Sequence, residues 1–424
     1  MIKFSELMIK APSDQIIGYL DAEPVNFGHF RQDVAYNMQT IKQDKVIVFE
    51  ESNYRFLVGV MAALQKGANV LFPPNGLPAT LAKMSGQRLN VEVGQTAKAE
   101  FRTLDPEECL MDFYTSGSTG ESKCIRKKLR QIENEVHVLN ETWGGIARGT
   151  LVLSTVSHQH IYGMLFKSFW PLCAGHMFQD QTFEYWENLF EHITPNSMII
   201  SSPAHLSRFP PVDCPSSPKM VFSSGGPLSL EAASKGNEIL GQTPMEIFGS
   251  TETGGVAYRQ QTRPAVPWQP FDILDLRTDA QGVLSIRSPY LEDDGWYEMS
   301  DKITFDENGY FHLQGRVDRI VKVEGKRVSL PEVEAVLQHS PWVAEACCLI
   351  TNDERKSLSA VLVLSPKGVE KHQEVGDFRM GRLLRQAIAD HLEQAARPRR
   401  WRFVEKIPVN SQGKRLMADL LALY

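Results

Sequence analysis

The sequence predicts an α/β protein, with a large N-terminal domain of parallel or mixed sheets flanked by helices and a small C-terminal α+β domain. Three observations carry this reading. Short apolar, β-branched runs recur along the first two thirds of the chain; helical patterns lie between several of them; and the texture changes after about residue 318. Buried strands alternating with helices mark a largely parallel sheet covered by helices.

The strand-like runs are Lys-Val-Ile-Val-Phe-Glu at 45–50, Asn-Val-Leu-Phe-Pro-Pro at 69–74, Thr-Leu-Val-Leu-Ser-Thr-Val at 150–156, Ser-Met-Ile-Ile-Ser-Ser-Pro at 197–203, Lys-Met-Val-Phe-Ser-Ser-Gly at 219–225 and Met-Glu-Ile-Phe-Gly-Ser-Thr at 245–251. Helices are expected over Tyr54 to Gln65 and Leu230 to Leu240. Beyond residue 318, Ser329-Leu-Pro-Glu332 supplies an N-cap hydroxyl, an early proline and a capping-box glutamate ahead of Val333, Val336 and Leu337. Two strand-like runs follow, then a helix with Met380, Leu383, Leu384, Ala387, Ile388 and Leu392 on one face, then a strand through Arg-Trp-Arg-Phe-Val-Glu-Lys-Ile-Pro leading to an exposed Asn-Ser-Gln-Gly-Lys turn. The expected domains are 1–317 and 318–424.

The 424 residues, 42% hydrophobic and 23% charged, suit a globular protein of two or three packed domains. A formal charge of −6 argues against nonspecific nucleic-acid binding. The first residues lack the apolar core of a signal peptide, and Lys167 and His176 interrupt the richest apolar run, so no membrane span and a cytoplasmic location are expected. Six cysteines without metal-ligand spacing read as reduced, mostly buried thiols.

The sharpest local pattern is Tyr114-Thr115-Ser116-Gly117-Ser118-Thr119-Gly120-Glu121-Ser122-Lys123. Glycines let backbone N–H groups face an anion, hydroxyls add donors and the lysine adds a point charge, a set suited to polyphosphate. It is not a Walker loop, because Gly120-Glu-Ser-Lys123 breaks that spacing. Further along come Ser223-Ser-Gly225-Gly226-Pro-Leu, Phe248-Gly249-Ser-Thr251-Glu252, Trp296-Tyr-Glu-Met-Ser-Asp301, Gly315-Arg316-Val-Asp318-Arg319, Val323-Glu-Gly325-Lys and Pro408-Val-Asn-Ser-Gln-Gly-Lys414. Taken alone, each has a plain structural reading. Phe-Gly-Ser-Thr-Glu, for example, also reads as a helix N-cap with a first-turn glutamate.

In this order, over about residues 110–415, the motifs resemble those of the adenylate-forming superfamily of acyl-CoA synthetases, peptide-synthetase adenylation domains and beetle luciferases. The chain looks most like a compact bacterial acyl-CoA or acyl-carrier-protein synthetase. The resemblance implies ATP-dependent activation of a carboxylic acid to an acyl-adenylate, with pyrophosphate released, then transfer to a pantetheine thiol of CoA or an acyl carrier protein. It places the β- and γ-phosphates on Thr115, Ser116, Gly117, Ser118, Thr119, Gly120 and Lys123. Adenine and ribose fall to Gly225, Gly226, Phe248, Gly249, Asp301 and Arg316. Thr251, Glu252 and Lys414 are the implied catalytic residues, with Glu252 holding Mg2+, which favours carboxylate and phosphate oxygens. Asp318 is the implied hinge and Gly325 the pantetheine tunnel.

His160, Tyr162, Gly163, Gly226 and Gly254 are the implied acyl pocket. Where amino-acid-activating members carry an aspartate, this sequence has Ser157-His-Gln-His-Ile-Tyr-Gly163, so the acid lacks an α-ammonium; aryl and fatty or medium acyl acids both stay open. The pattern departs from the family at Ser122 and Cys124, which replace proline and glycine, and in a short region before residue 110. The basic run Arg397, Arg399, Arg400 and Arg402 reads as a solvated face or as a landing site for CoA phosphates or an acidic carrier protein. Two other functions remain, an enzyme that stops at the acyl-adenylate and a silent nucleotide-binding protein.

Overall fold

The computed structural model describes residues 1–116, 122–146, 148–323, 326–352, 356–409, 415 and 417–424. The chain divides into two compact units. One takes Met1–Gly117, Glu121–Asp275 and Arg287–Tyr297; the largest pieces of the other are Leu276–Ile286 and Glu298–Tyr424.

The first unit is built on two sheets. In the nine-stranded sheet the central strands Leu151–Ser154, Ser197–Ser201, Met220–Ser223 and Met245–Ser250 are mutually parallel neighbours, in an order that keeps their carboxyl ends on one edge. Ser197–Ser201 is buried at every position, which fits a sequence of small serines around Met198-Ile-Ile200 with no exposed polar alternation. Gly254–Gln260 then returns antiparallel to Met245–Ser250. The five-stranded sheet pairs Lys45–Ile47, Asn69–Phe72 and Leu110–Ser116 in parallel and ends in an antiparallel hairpin, Leu110–Ser116 with Ser122–Lys128. Helix Asn53–Gln65 is apolar nearly all round and is buried along its whole length; Ser52 caps it by accepting from Arg55 N–H.

The second unit holds a four-stranded sheet of Asp275–Thr278, Val283–Arg287, Tyr297–Phe305 and Phe311–Arg316 in that order. It also holds a three-stranded sheet of Val343–Asn352, Lys356–Leu364 and Arg400–Phe403. Helix Leu330–Gln338 starts where the sequence places it: Ser329 accepts from Glu332 N–H, and Pro331 sits in the first turn. Val333 and Leu337 of that helix pack with Ala346, Cys348, Leu358, Leu362, Met380 and Leu384 into one core. The helix expected to carry Met380 to Leu392 spans Pro366–Ala387, so Ile388 and Leu392 join the core from beyond its end, and it bends at Gly376, whose φ of 74° is open to glycine and strained for other residues.

All six cysteines are free. Four are buried, Cys214 is half-buried and Cys124 is exposed. Among the described residues no helix is long and apolar enough to cross a membrane.

Candidate active site

Because the central strands are parallel, the loops that leave their carboxyl ends gather on one edge of the sheet. After Leu151–Ser154 comes the segment with His160, Tyr162 and Gly163; after Met220–Ser223 come Gly225 and Gly226; after Phe248 and Gly249 come Thr251 and Glu252. Ser224 Oγ donates to Ile247 O at 2.8 Å and so ties the glycine turn to the strand carrying Phe248. Gly225 has φ 90°, and a side chain at Gly226 would meet only Pro203 at 4.0 Å, so both leave open space beside the backbone. Phe248 lies 5.6 Å from the Trp268 ring, over which the Arg259 guanidinium sits at 4.3 Å.

The hairpin of the five-stranded sheet carries the hydroxyl-rich stretch. Thr115 faces Lys123 across the ladder, and Ser116 faces Ser122. Lys123 Nζ lies 3.1 Å from the Glu252 carboxylate, joining two motifs that are 129 residues apart in sequence. Burial acts to raise the Glu252 carboxyl, but the hydrogen bond from Lys123 and its charge outweigh this, and the group sits below the ordinary glutamate value. The same hydrogen bond holds Lys123 above the ordinary lysine value. Gly117, Ser118, Thr119 and Gly120 lie outside the described residues.

Glu252 does not open a helix, contrary to the N-cap reading of Phe-Gly-Ser-Thr-Glu. Residues 251–253 form a tight turn in which Ser250 N–H donates to Thr253 Oγ1 at 3.0 Å and Thr253 N–H donates to Ser250 Oγ at 3.2 Å. Gly254 follows with φ 69°, which sends the chain back as the antiparallel strand. Gly249 is required at the close approach of the two strands, since a side chain there would stand 2.2 Å from Gly254 O.

Two buried residues that sequence reasoning missed lie against this turn. Lys127 Nζ donates to Glu252 O and to Tyr290 O, each at 3.1 Å, and Glu135 Oε1 accepts from Gly255 N–H at 2.6 Å. Burial pulls the Lys127 ammonium down against the charges of Glu135 and Glu252, and pushes the Glu135 carboxyl up against Lys127 and the Gly255 N–H. The available signal was a polar interruption: Gln131 and Glu135 fall on the face of helix Leu129–Trp143 that also buries Leu129, Ile132, Val136 and Leu139.

On the expected acyl side, His160 precedes the helical turn Ile161–Gly163 in an extended conformation. Gly163 packs so closely that a side chain would meet Ser157 O at 2.1 Å. The Tyr162 ring lies 5.0 Å from Phe166, which continues into an aromatic cluster of Trp143, Trp170 and Phe222. Burial pushes the Tyr162 hydroxyl well above the ordinary tyrosine value.

Within the second unit Asp301 and Arg316 are directly opposed on antiparallel strands, with Arg316 Nη1 3.6 Å from Asp301 Oδ2. Asp301 is buried and Arg316 half-exposed. Asp318 lies in the short turn Val317–Arg319. Arg319 is anchored to Glu334 at 2.6 Å and to Cys348 O at 3.1 Å. Gly325 and Lys414 lie outside the described residues. Among the described residues no group of three or more His, Cys, Asp or Glu side chains could hold a metal. A cation here would depend on one carboxylate together with substrate phosphates, an arrangement magnesium accepts and Glu252 fits.

Parallel strands presenting glycine turns, a hydroxyl-rich hairpin and one carboxylate at their carboxyl edge make a fold suited to nucleotide chemistry. Residues 76–289 match the AMP-binding enzyme family and residues 332–414 its C-terminal domain; the chain belongs to the AMP-binding enzyme family. It is 26% identical over 317 residues to a 4-coumarate–CoA ligase of Cereibacter sphaeroides, covering 74% of this chain and 71% of that protein. It is 25% identical over 358 residues to an anthranilate–CoA ligase of Pseudomonas aeruginosa, covering 76% and 68%. In fold it is similar to ATP-bound MatB from Rhodopseudomonas palustris, with a TM-score of 0.79 at 17% identity over 99% of this chain and 98% of that one.

Proposed function

We propose that the chain is an AMP-forming acid:thiol ligase, joining a carboxylic acid to ATP as acyl-AMP and then passing the acyl group to a pantetheine thiol. The observation that carries this is the meeting of Lys123 and Glu252, which brings the hydroxyl-rich hairpin to the turn that follows Phe248 and Gly249. In the first step the substrate carboxylate attacks the α-phosphorus and pyrophosphate departs. Charge builds on phosphate oxygens, so the protein contributes positioning and electrostatics rather than a nucleophile. Thr115 and Lys123, with Ser116, Gly117, Ser118, Thr119 and Gly120, are proposed to hold the β- and γ-phosphates. Thr251 and Lys414 are proposed to act at the α-phosphate and reacting carboxylate. Glu252 would hold Mg2+, which when bound neutralises phosphate charge; Lys123, now on that carboxylate, would turn to the phosphates.

Gly225, Gly226, Phe248 and Gly249 are proposed for adenine, and Asp301 with Arg316 for ribose, their cross-strand pairing giving a fixed acceptor and donor. The functional division is proposed at 317/318, with Asp318 as hinge and Gly325 lining the passage for pantetheine. His160, Tyr162, Gly163, Gly226 and Gly254 are the proposed acyl pocket. The aromatic cluster behind Tyr162 and the names of the 4-coumarate and anthranilate relatives support an aryl acid. The relatives' names favour CoA as acceptor, and the half-buried Arg400 and Arg402 offer charge for its phosphates or for an acidic carrier protein. Dependence on ATP and CoA makes the cytoplasm its proposed place of work.

The test is thioester formation. Purified chain, ATP, Mg2+ and hydroxycinnamic, benzoic or straight-chain acids are incubated with CoA or with a phosphopantetheinylated carrier protein, and products are read by mass. Acyl thioester on one acceptor with stoichiometric AMP is expected. AMP and free acyl-adenylate with neither acceptor loaded would restrict the enzyme to adenylation.

A further inference from the structure

Resting on the reading of Glu252 as the magnesium-holding group, we infer that Lys127 and Glu135 are positioning residues that lock the Glu252–Gly255 turn and so aim the Glu252 carboxylate. The turn exposes two backbone groups to the interior, the carbonyl of Glu252 and the N–H of Gly255. Each is met by a buried ionisable side chain, Lys127 from strand Ser122–Lys128 at 3.1 Å and Glu135 from the following helix Leu129–Trp143 at 2.6 Å. The two residues are 2% and 4% exposed. Lys127 also binds Tyr290 O at 3.1 Å, and Gln131 Nε2 donates to the same oxygen at 2.6 Å, so the segment before Leu291 is fastened to the turn. Contact is direct as well as polar. A side chain at Gly254 would stand 2.9 Å from Glu135 Oε2, an oxygen with no hydrogen-bond partner among the described residues.

Burying ionisable groups is weak evidence for stability, since well-packed apolar residues of similar volume often serve as well; the better-attested use is to specify one arrangement over others. The arrangement specified here is the turn that bears the carboxylate. The strand that carries Lys123 to the Glu252 side chain carries Lys127 to the Glu252 backbone four residues on, so head and base of one residue are gripped by one strand. A shift of about 1 Å in such a group can cost on the order of a hundredfold in rate.

The test compares wild type, Lys127→Met, Lys127→Arg and Glu135→Met as full-length chains, with folding checked by circular dichroism. It reads acid-dependent pyrophosphate exchange against Mg2+ concentration and, separately, calorimetric binding of Mg·ATP. Lys127→Met is expected to raise the apparent Mg2+ constant, to weaken Mg·ATP and to lower the exchange rate by about tenfold or more, with the acid KM moved less than about threefold. Lys127→Arg should recover most of the loss. A folded Lys127→Met variant with wild-type Mg2+ dependence and Mg·ATP affinity overturns the inference. So does a loss that merely tracks the folded fraction and that arginine does not rescue. If Lys127→Met does not fold, Glu135→Met carries the test, because it removes the acceptor for Gly255 N–H at similar volume: a weakened Mg·ATP affinity supports the inference and an unchanged one overturns it. Absence of exchange in wild type with every acid would instead strike the ligase reading, while the binding comparison would still judge the turn.

Discussion

Replacing Glu252 by glutamine should separate catalysis from stability, and the structure sets both magnitudes. The partner of the carboxylate is Lys123 at 3.1 Å, whose side chain is 60% exposed. Exposed pairs of this kind are worth about 0.2–1 kcal/mol, and glutamine keeps an oxygen for the lysine. A loss of that size moves the melting temperature by roughly 2–4 °C at most in a domain of 150–250 residues. Activity should respond far more. A preorganised group that stabilises charge in the transition state is worth about 3–4 kcal/mol, or 10²–10³ in rate. The assay is acid-dependent pyrophosphate exchange over a Mg2+ series, beside a thermal melt of the same preparation. An exchange rate within about threefold of wild type would refute the assignment of Glu252 to the reacting phosphates. A melting temperature lowered by about 10 °C would refute the account of the pair as a weak structural contact.

Three other outcomes are expected. Lys414→Ala should suppress pyrophosphate exchange while leaving the circular dichroism spectrum and melt close to wild type; unchanged exchange would remove Lys414 from the mechanism. Burial lowers His176 to about 4, so between its unfolded value near 6.5 and about 4 the unfolded chain binds a proton that the folded chain refuses. Stability from this site is therefore full above pH 6.5 and falls by up to about 3 kcal/mol as the pH drops through that window. His176→Leu should flatten that part of the urea-unfolding profile, and an identical slope would contradict the burial account. Glu334→Ala strips Arg319 and Cys348 N–H of a buried partner and should destabilise the second unit by about 3–5 kcal/mol in chemical denaturation; a loss below about 1 kcal/mol would show that the pair is dispensable.

Much of this architecture is legible in the sequence because its signals are strong and local. Short apolar, β-branched stretches such as Met198-Ile-Ile200 suit a buried strand, and Ser329 with Pro331 and Glu332 marks a helix start by capping chemistry alone. The motifs are legible because glycines, hydroxyls and one lysine at fixed spacing have few other uses in combination. What is not legible depends on register and depth. Nothing local distinguishes Glu252 in a tight turn from Glu252 in a first helical turn; the left-handed Gly254 and the returning strand decide it. That Asp301 faces Arg316 follows from cross-strand pairing with a bulge between Lys302 and Ile303, which a linear reading cannot count. The roles of Lys127 and Glu135 escape a linear reading, because their partners are backbone groups more than a hundred residues away in sequence.

The central claim, acid activation through an adenylate, is tested most directly by exchange of labelled pyrophosphate into ATP with wild-type chain across benzoic, hydroxycinnamic and straight-chain fatty acids. Exchange that requires one class of acid, and that disappears without Mg2+, is the predicted result. Mg·ATP binding without exchange in the presence of every acid would contradict it.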